Sequence, residues 1–259
     1  MSHLVSRSIS LIYGLIPKKL INTKRFCPIF FGPNAGLEIL MQPVITQMFG
    51  TYESNVDKAI NDHTRRFSPK HIFVLGLHNG YTAFKLQRKF PESIVIGYEA
   101  NPLLAADCKA SIKKNKITNL FIRDQSIGYG QELDFHISGD DNGMVTKSRD
   151  SLTKHSAIEV NPPITLKTAL SSHLDLKPYQ GNIIIIDIEG FEEDIIDNEN
   201  IDIFDVFDIV LIEYHSSLIY EKLIHKFSNS NTSWIKIDIV NKATRNSVGN
   251  GHVLFKIDR

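Results

Sequence analysis

Cysteine is scarce in this sequence. Only Cys27 and Cys108 occur among 259 residues, and neither belongs to a Cys-x-x-Cys pair or to a Cys/His ligand spacing. This excludes a disulfide scaffold and indicates no structural zinc or other metal site. Because disulfides are rare in reducing compartments and none is predicted here, we expect a cytoplasmic protein.

A dominant charge sign is also missing. The 29 Lys and Arg residues balance the 29 Asp and Glu residues, so that the formal net charge is +0 at pH 7. The protein therefore lacks the positive field that carries most non-specific nucleic-acid binding. We expect no nucleic-acid partner.

Long apolar runs are absent as well, and the longest one near the start covers residues 9–16. A membrane-spanning helix needs about 20 apolar residues, and no small-residue cleavage site follows the run, so neither a span nor a secretory signal is predicted. Residues 1–37 contain no acidic residue, and basic side chains lie among apolar ones over residues 1–26. This segment is either a helix in peripheral contact with a membrane or an amphipathic helix packed on the body of the chain.

What the sequence does contain is a globular composition and a repeating strand-helix pattern. Apolar residues make up 42% and charged residues 22%, which is close to the globular average. Residues 38–67 are predicted to be a mostly helical lead-in. After them, three short apolar runs, each bounded by turn residues, alternate with segments whose apolar residues have helical spacing. This pattern predicts a parallel sheet with right-handed crossovers. The predicted strands and helices here are 71–76, 81–90, 93–99, 102–116 and 119–123. We divide the chain into an N-terminal extension, 1–67, and an α/β domain, 68–259.

The second half continues the pattern after an irregular middle. The polar stretch 125–163 predicts an antiparallel excursion between 132–136 and 158–160, with a mobile loop over about 140–155. Strands are then expected at 182–188 and 207–214, helices at 165–174, from 191 and at 216–227, and a closing antiparallel pair at 234–240 and 252–257.

The first two predicted strands end in residues suited to a nucleoside. The segment 76–80 (GLHNG) opens a helix, and its glycines let main-chain N–H groups approach a ligand. Glu99 ends the second strand, 23 residues after Gly76. At this spacing a carboxylate accepts hydrogen bonds from both hydroxyls of a ribose.

The later strands end in ionisable residues. Asp187 and Glu189 follow the most apolar strand, and strand alternation places both on one side of the cleft. His215 follows the next strand, after Glu213. Two close carboxylates or an imidazole at this edge suit a general base, whereas the alternative for the acids is compensation of a helix dipole.

Four elements in order resemble the FkbM-type S-adenosylmethionine-dependent methyltransferases. They are the glycine loop followed by Tyr81, the segment 97–102 (GYEANP), the segment 187–192 (DIEGFE) and the segment 212–215 (IEYH). In addition, the segment 50–53 (GTYE) is similar to the family's Gly-x-Tyr-Glu element. The likeness covers about residues 50–215. It implies a class I methyltransferase fold, which is a Rossmann-like, doubly wound and mostly parallel seven-stranded sheet, here with a helical N-terminal extension.

The resemblance also implies a cofactor and a reaction. The cofactor would be S-adenosylmethionine, bound by Gly76, His78, Gly80, Tyr81, Glu99 and Asn101. The reaction would be methyl transfer to a hydroxyl of a small-molecule acceptor, such as a sugar, glycan or natural product, with Asp187, Glu189 and His215 as the catalytic candidates. Which of the three is the base stays open.

The sequence departs from the family's first motif, which is roughly Asp-x-Gly-Ala-Asn-x-Gly. Val74 replaces the acid, Leu77 the small alanine and His78 the asparagine, and Ile185 stands where a lysine is usual. These departures keep a second hypothesis open, namely a binding or scaffold protein that retains the fold without catalysis. A nicotinamide dehydrogenase is disfavoured because the loop lacks Gly-x-Gly-x-x-Gly.

Overall fold

The computed structural model describes residues 23–42, 44–65, 67–129, 134–137, 143–146, 161–173, 181–189, 191–239 and 251–258. Residues 1–22 of the segment 1–26, for which membrane contact is one of the two predictions, therefore lie outside the described residues. Within the described residues, no helix has both the length and the apolar character needed to cross a bilayer.

The described elements alternate as the sequence predicts. The strands are β1 Arg25–Pro28, β2 Glu38–Met41, β3 His71–Leu75, β4 Ile94–Tyr98, β5 Leu120–Arg123, β6 Asp134–Ile137, β7 Gly143–Thr146, β8 Ile183–Ile186, β9 Ile209–Tyr214, β10 Trp234–Ile239 and β11 Gly251–Ile257. The helices are α1 Ile45–Met48, α2 Ser54–His63, α3 Tyr81–Lys89, α4 Pro102–Asn115, α5 Leu166–Ser171, α6 Glu192–Asn198 and α7 Ser217–Ser228, with a 3₁₀ helix at Ile201–Val206.

Seven strands form one sheet in the order β10-β11-β9-β8-β3-β4-β5. The strands from β9 to β5 are parallel, and β11 and β10 are antiparallel additions at one edge. The order reverses between β3 and β8, where an open sheet of this kind leaves a crevice at the carboxyl ends of its strands. This is the mostly parallel seven-stranded α/β fold that the sequence predicts.

Alternation along the central strands divides the core into two halves. Ile72 and Val74 face one hydrophobic cluster, and Phe73 and Leu75 face the other. Successive side chains of a strand point to opposite faces, so a strand buried on both faces must be apolar at every position. This is why the continuous apolar runs of the sequence became the central strands.

The N-terminal lead-in differs from the prediction at its start. Residues 38–67 were expected to be mostly helical, but Glu38–Met41 is a strand that pairs antiparallel with Arg25–Pro28. Side chains of α4 stabilise this hairpin, because the Ser111 hydroxyl accepts the Leu40 N–H at 2.9 Å and Asn115 bonds both the N–H and the C=O of Glu38. Contacts with α4 therefore determine that this four-residue segment forms a strand and not a helix.

The lead-in also shares its core with the sheet. Cys27, Ile39, Val56 and Ile60 belong to the same hydrophobic cluster as Val74. The described part of the extension therefore covers one face of the sheet, and the domain boundary between residues 67 and 68 stays a prediction.

The irregular middle contains the predicted antiparallel excursion with a different partner. Asp134–Ile137 pairs antiparallel with Gly143–Thr146 across the turn cluster, whereas the predicted partner 158–160 lies outside the described residues. Apart from Gly143–Thr146, the loop 140–155 that was predicted to be mobile lies outside the described residues.

Candidate functional site

Two neighbouring cavities open at the carboxyl ends of the parallel strands, one of about 330 Å³ and one of about 40 Å³. Their position matches the crevice expected where the strand order reverses. Both are lined by Gln47, Tyr52, Gly76, His78 and Asp187. The larger cavity is also lined by Val44, Tyr98, Glu99, Ala100, Leu104, Gln125, Ser126, Ile127, Ile188, Glu189 and Phe191.

Gly76 brings the loop after β3 into contact with the end of β8. Its φ of 83° is a left-handed conformation, and a Cβ at this position would overlap the main-chain oxygen of Asp187. Only glycine meets both conditions without strain. The missing side chain lets the loop after β3 pack directly against the main chain of Asp187.

Glu99 lies where the sequence predicts, and both of its carboxylate oxygens accept hydrogen bonds from main-chain N–H groups. Oε2 accepts the His78 N–H at 2.7 Å, and Oε1 accepts the Asn101 N–H at 2.9 Å. Burial raises the pKa of Glu99, and the hydrogen bonds from Asn101 and His78 act in the opposite direction. Because each carboxylate oxygen has a second lone pair, Glu99 can also accept hydrogen bonds from a ligand in the cavity.

The six residues predicted to bind the cofactor fall into two groups. Three line the larger cavity and three do not. The first group is Gly76, His78 and Glu99, and the second is Gly80, Tyr81 and Asn101.

The second group has other roles in the structure. The Asn101 side chain caps α4 by accepting the Leu103 N–H at 2.9 Å, and Gly80 is the residue before α3, with a φ of 81°. Tyr81 is buried and lines only the smaller cavity. The sequence could not distinguish a cap from a cofactor contact, because both functions require the same residue types at the start of a helix.

The two bulky departures from the family motif lie outside the larger cavity. Leu77 packs against Gly97, where a Cβ would come within 2.5 Å of the leucine Cδ2. Val74 is 2% exposed and lines the smaller cavity together with Leu77. The larger cavity is therefore not filled by these side chains.

Asp187 and Glu213 form an interacting pair of carboxyl groups at the ends of β8 and β9. The pKa of Asp187 is well above its ordinary value, first because of burial and then because of the negative charges of Glu213, Glu189 and Glu53. Burial also acts to raise the pKa of Glu213, but hydrogen bonds from His252 and Asp187 bring it below its ordinary value. Asp187 is thus the member of the pair that keeps its proton to higher pH.

Glu189 lines the larger cavity and contacts His215, which itself lines neither cavity. His215 Nε2 lies 3.5 Å from Glu189 Oε2, and His215 Nδ1 lies 3.5 Å from Glu192 Oε2. The interaction with buried Glu192 raises the pKa of His215, and burial opposes it. Glu192 is itself fixed by the Ile188 N–H at 2.9 Å.

Strand alternation does not explain the positions of Asp187 and Glu189. The strand β8 ends at Ile186, and Glu189 has a φ of 54° in the turn that follows. Its side chain is 68% exposed, whereas Oδ1 of Asp187 is sealed from solvent. Both residues still line the larger cavity because the turn brings Glu189 back toward the cleft.

Two ionisable residues of the site, Glu53 and His252, are not predicted from the sequence. Both line the smaller cavity, and His252 Nε2 lies 3.4 Å from Glu213 Oε2. Four non-glycine residues of the described chain have a left-handed φ, and three of them, Glu53, His78 and Glu189, line the cavities. Such backbone strain is typical of functional sites.

Comparison with known proteins agrees with this architecture. The METTL16 methyltransferase domain is similar, with a TM-score of 0.52 and 7% identity, over 85% of this chain and 71% of that chain. The M. jannaschii TYW2 structure in complex with AdoMet aligns with a TM-score of 0.42 and 12% identity, over 86% of this chain and 84% of that chain. At these identities the likeness to METTL16 concerns the fold, which is that of class I methyltransferases.

Sequence comparison identifies the family. No curated protein matches the sequence significantly. The family model of the methyltransferase FkbM domain matches residues 75–239, which is more than half of the chain and includes the elements from α3 to β10. The chain belongs to the FkbM methyltransferase family.

Proposed function

We propose that the larger cavity binds S-adenosylmethionine and that the protein transfers its methyl group to a hydroxyl oxygen. The observation that carries this proposal is the arrangement of Glu99 and Gly76 around a cavity of about 330 Å³. A carboxylate suits the ribose hydroxyls, and a glycine floor lets a ligand lie against the main chain. A cavity of this size is within the range of small-molecule sites.

The charge distribution supports the same orientation of the cofactor. S-adenosylmethionine supplies a methyl group on a positively charged sulfonium and also carries an ammonium group. Asp187 and Glu189 line the same cavity just after β8, on the other side of β3 from Glu99, and the exposed carboxylate of Glu189 favours a cation there. The missing acid at Val74 is therefore offset by acids from other elements.

We assign the base to His215. Its imidazole contacts Glu189, which lines the larger cavity, and Glu192 holds it from the other side. An acceptor hydroxyl beside Glu189 would give its proton to His215 as the oxygen forms a bond to the methyl carbon. S-adenosylmethionine would supply the methyl group, and its sulfur would keep the electron pair of the carbon–sulfur bond. Alignment and deprotonation are the contributions that the protein must make.

The acceptor is a hydroxylated small molecule in this proposal, such as a sugar, a glycan or a natural product. Glu189 lines the larger cavity and is exposed, and carboxylates accept hydrogen bonds from several hydroxyls. The cytoplasmic location stays part of the proposal, and the two buried cysteines, which form no disulfide, fit a reducing compartment.

Transfer of labelled methyl from S-adenosylmethionine tests the function. A panel of saccharides and polyhydroxylated natural products is compared with the same compounds after acetylation of their hydroxyls. We expect alkali-stable label on some free-hydroxyl acceptors, none on their acetylated forms, and a loss of at least about a hundredfold in His215→Phe. If the cofactor binds but no acceptor gains label, the non-catalytic scaffold is the better description.

A further inference from the structure

Three neighbouring strands present metal-ligand side chains at the same end of the sheet. The strands β8, β9 and β11 are adjacent, and Asp187 follows β8 directly, while Glu213 of β9 pairs in register with His252 of β11. The sequence indicates no metal site, because these donors are separated by up to 65 residues and meet only through the strand order.

A fourth donor comes from the lead-in. Glu53 precedes α2 with a φ of 49°, a conformation that is strained for a residue with a side chain. One possible ligand atom each from Glu53, Glu213 and His252 lie within 4.8 Å of one another. Asp187 forms a second such group with Glu213 and His215. Glu53, Asp187, Glu213 and His252 all line the smaller cavity of about 40 Å³, which has room for an ion or a water molecule.

An independent feature of the cavity is a buried oxygen without a donor. In the described part of the chain, no N–H or hydroxyl group donates a hydrogen bond to Oδ1 of Asp187, although that atom is sealed from solvent. Burying a polar atom without a partner is unfavourable. Among the described residues that line the smaller cavity, three have a carboxyl group and two are histidines, and none is a lysine or an arginine.

We propose that the smaller cavity binds one divalent cation of the Mn²⁺ type through Glu53, Glu213 and His252, with the carboxyl group of Asp187 beside it. Carboxylate oxygens favour Mg²⁺, Ca²⁺ and Mn²⁺, and an imidazole nitrogen shifts the preference toward transition metals. Mn²⁺ satisfies both kinds of donor. The ion would tie the lead-in, through Glu53, to two strands of the sheet, beside the glycine loop.

The site does not depend on methyl transfer, and its test measures the ion alone. Mn²⁺ is titrated into the full chain, freed of any histidine tag, and the electron paramagnetic resonance signal of the free ion is followed. We expect saturation at one ion per chain in the micromolar range. In Glu53→Gln and in His252→Ala, each checked for folding by circular dichroism, the affinity should fall at least about tenfold.

The matched control is Glu221→Gln, which removes an exposed carboxylate on α7 that lines neither cavity. It should bind Mn²⁺ as the wild type does. No loss of the free-ion signal at millimolar Mn²⁺ would overturn the proposal, and so would equal binding by all of these proteins, because that result indicates surface acids only.

One competing occupant is the ammonium group of the methyl donor, since the two cavities are neighbours. The Mn²⁺ titration is therefore repeated with saturating S-adenosylhomocysteine, whose own binding is measured by calorimetry. We expect the ion and the nucleoside to bind together. Displacement of the ion by the nucleoside would assign the cavity to the ammonium and refute the metal site, while leaving the methyltransferase proposal intact.

Discussion

The main-chain N–H of His78 donates a 2.7 Å hydrogen bond to Oε2 of Glu99, which joins the glycine loop after β3 to the residue after β4. Glu99 therefore shapes the loop as well as facing the larger cavity. The two regions that the sequence suggested for a nucleoside are one hydrogen-bonded unit.

This unit leads to a prediction for Glu99→Ala. The variant should bind S-adenosylhomocysteine more weakly by about 1.5 to 3 kcal/mol, the range for hydrogen bonds to a charged group. Calorimetry on the folded variant measures the loss, with Glu92→Ala, an exposed acid elsewhere, as the control. Unchanged affinity in a folded Glu99→Ala protein would remove this residue from the site.

Leu77 and Gly97 should be energetically coupled. Leu77→Ala leaves a cavity and should cost about 2 to 5 kcal/mol. Gly97→Ala places a Cβ about 2.5 Å from Leu77 Cδ2 and should cost about 1 to 3 kcal/mol through overpacking. In the double variant the new methyl partly fills the space, so urea unfolding should give a loss smaller than the sum. Simple additivity would show that the two side chains do not share this space.

Asp57 of α2 and Lys85 of α3 form a buried ion pair. Replacing both residues should cost less stability than replacing only one of them. Their side chains are 14% and 5% exposed, and burial raises the pKa of Asp57 despite the neighbouring lysine. Lys85→Met alone should cost about 3 to 5 kcal/mol because it leaves a buried acid, whereas Asp57→Leu with Lys85→Met should be near neutral. Chemical unfolding of the three proteins measures this. A double variant as unstable as Lys85→Met would show that the pair is itself stabilising.

Val74→Asp tests the charge of the smaller cavity. A carboxylate at this position restores the family residue but faces Glu53, Asp187 and Glu213, so repulsion and burial should lower the melting temperature by several degrees for each kcal/mol lost. Val74→Asn is the neutral control of equal shape. We expect added Mn²⁺ to recover more stability in the Asp variant than in the Asn variant. Equal melting temperatures for both variants without the ion would contradict an acidic cavity.

Most of the sheet could be predicted from sequence because its central strands are buried on both faces. The run 182–188 is apolar for this reason, and β8 lies within it. The hairpin of β1 and β2 could not be predicted, since Ile39 and Met41 fit a helix as well as a strand. Its state depends on Ser111 and Asn115, which lie about 70 residues away in sequence.

The candidate site was predicted only where it follows a single strand. Gly76, Glu99 and Asp187 come directly after buried strands, and the rule for open sheets places them at the crevice. Glu53 and His252 could not be found in this way. One precedes a helix outside the sheet, and the other lies on an antiparallel strand whose register with β9 is set by the fold.

The most direct test of this account is a calorimetric titration of the wild-type chain with S-adenosylhomocysteine. The product analogue contains the ribose and the methionine part, so it should engage Glu99 and the glycine loop without needing an acceptor. The account predicts one site per chain with a dissociation constant of roughly micromolar order. Absence of binding at millimolar ligand, in protein shown to be folded, would contradict the assignment of the larger cavity to the methyl donor.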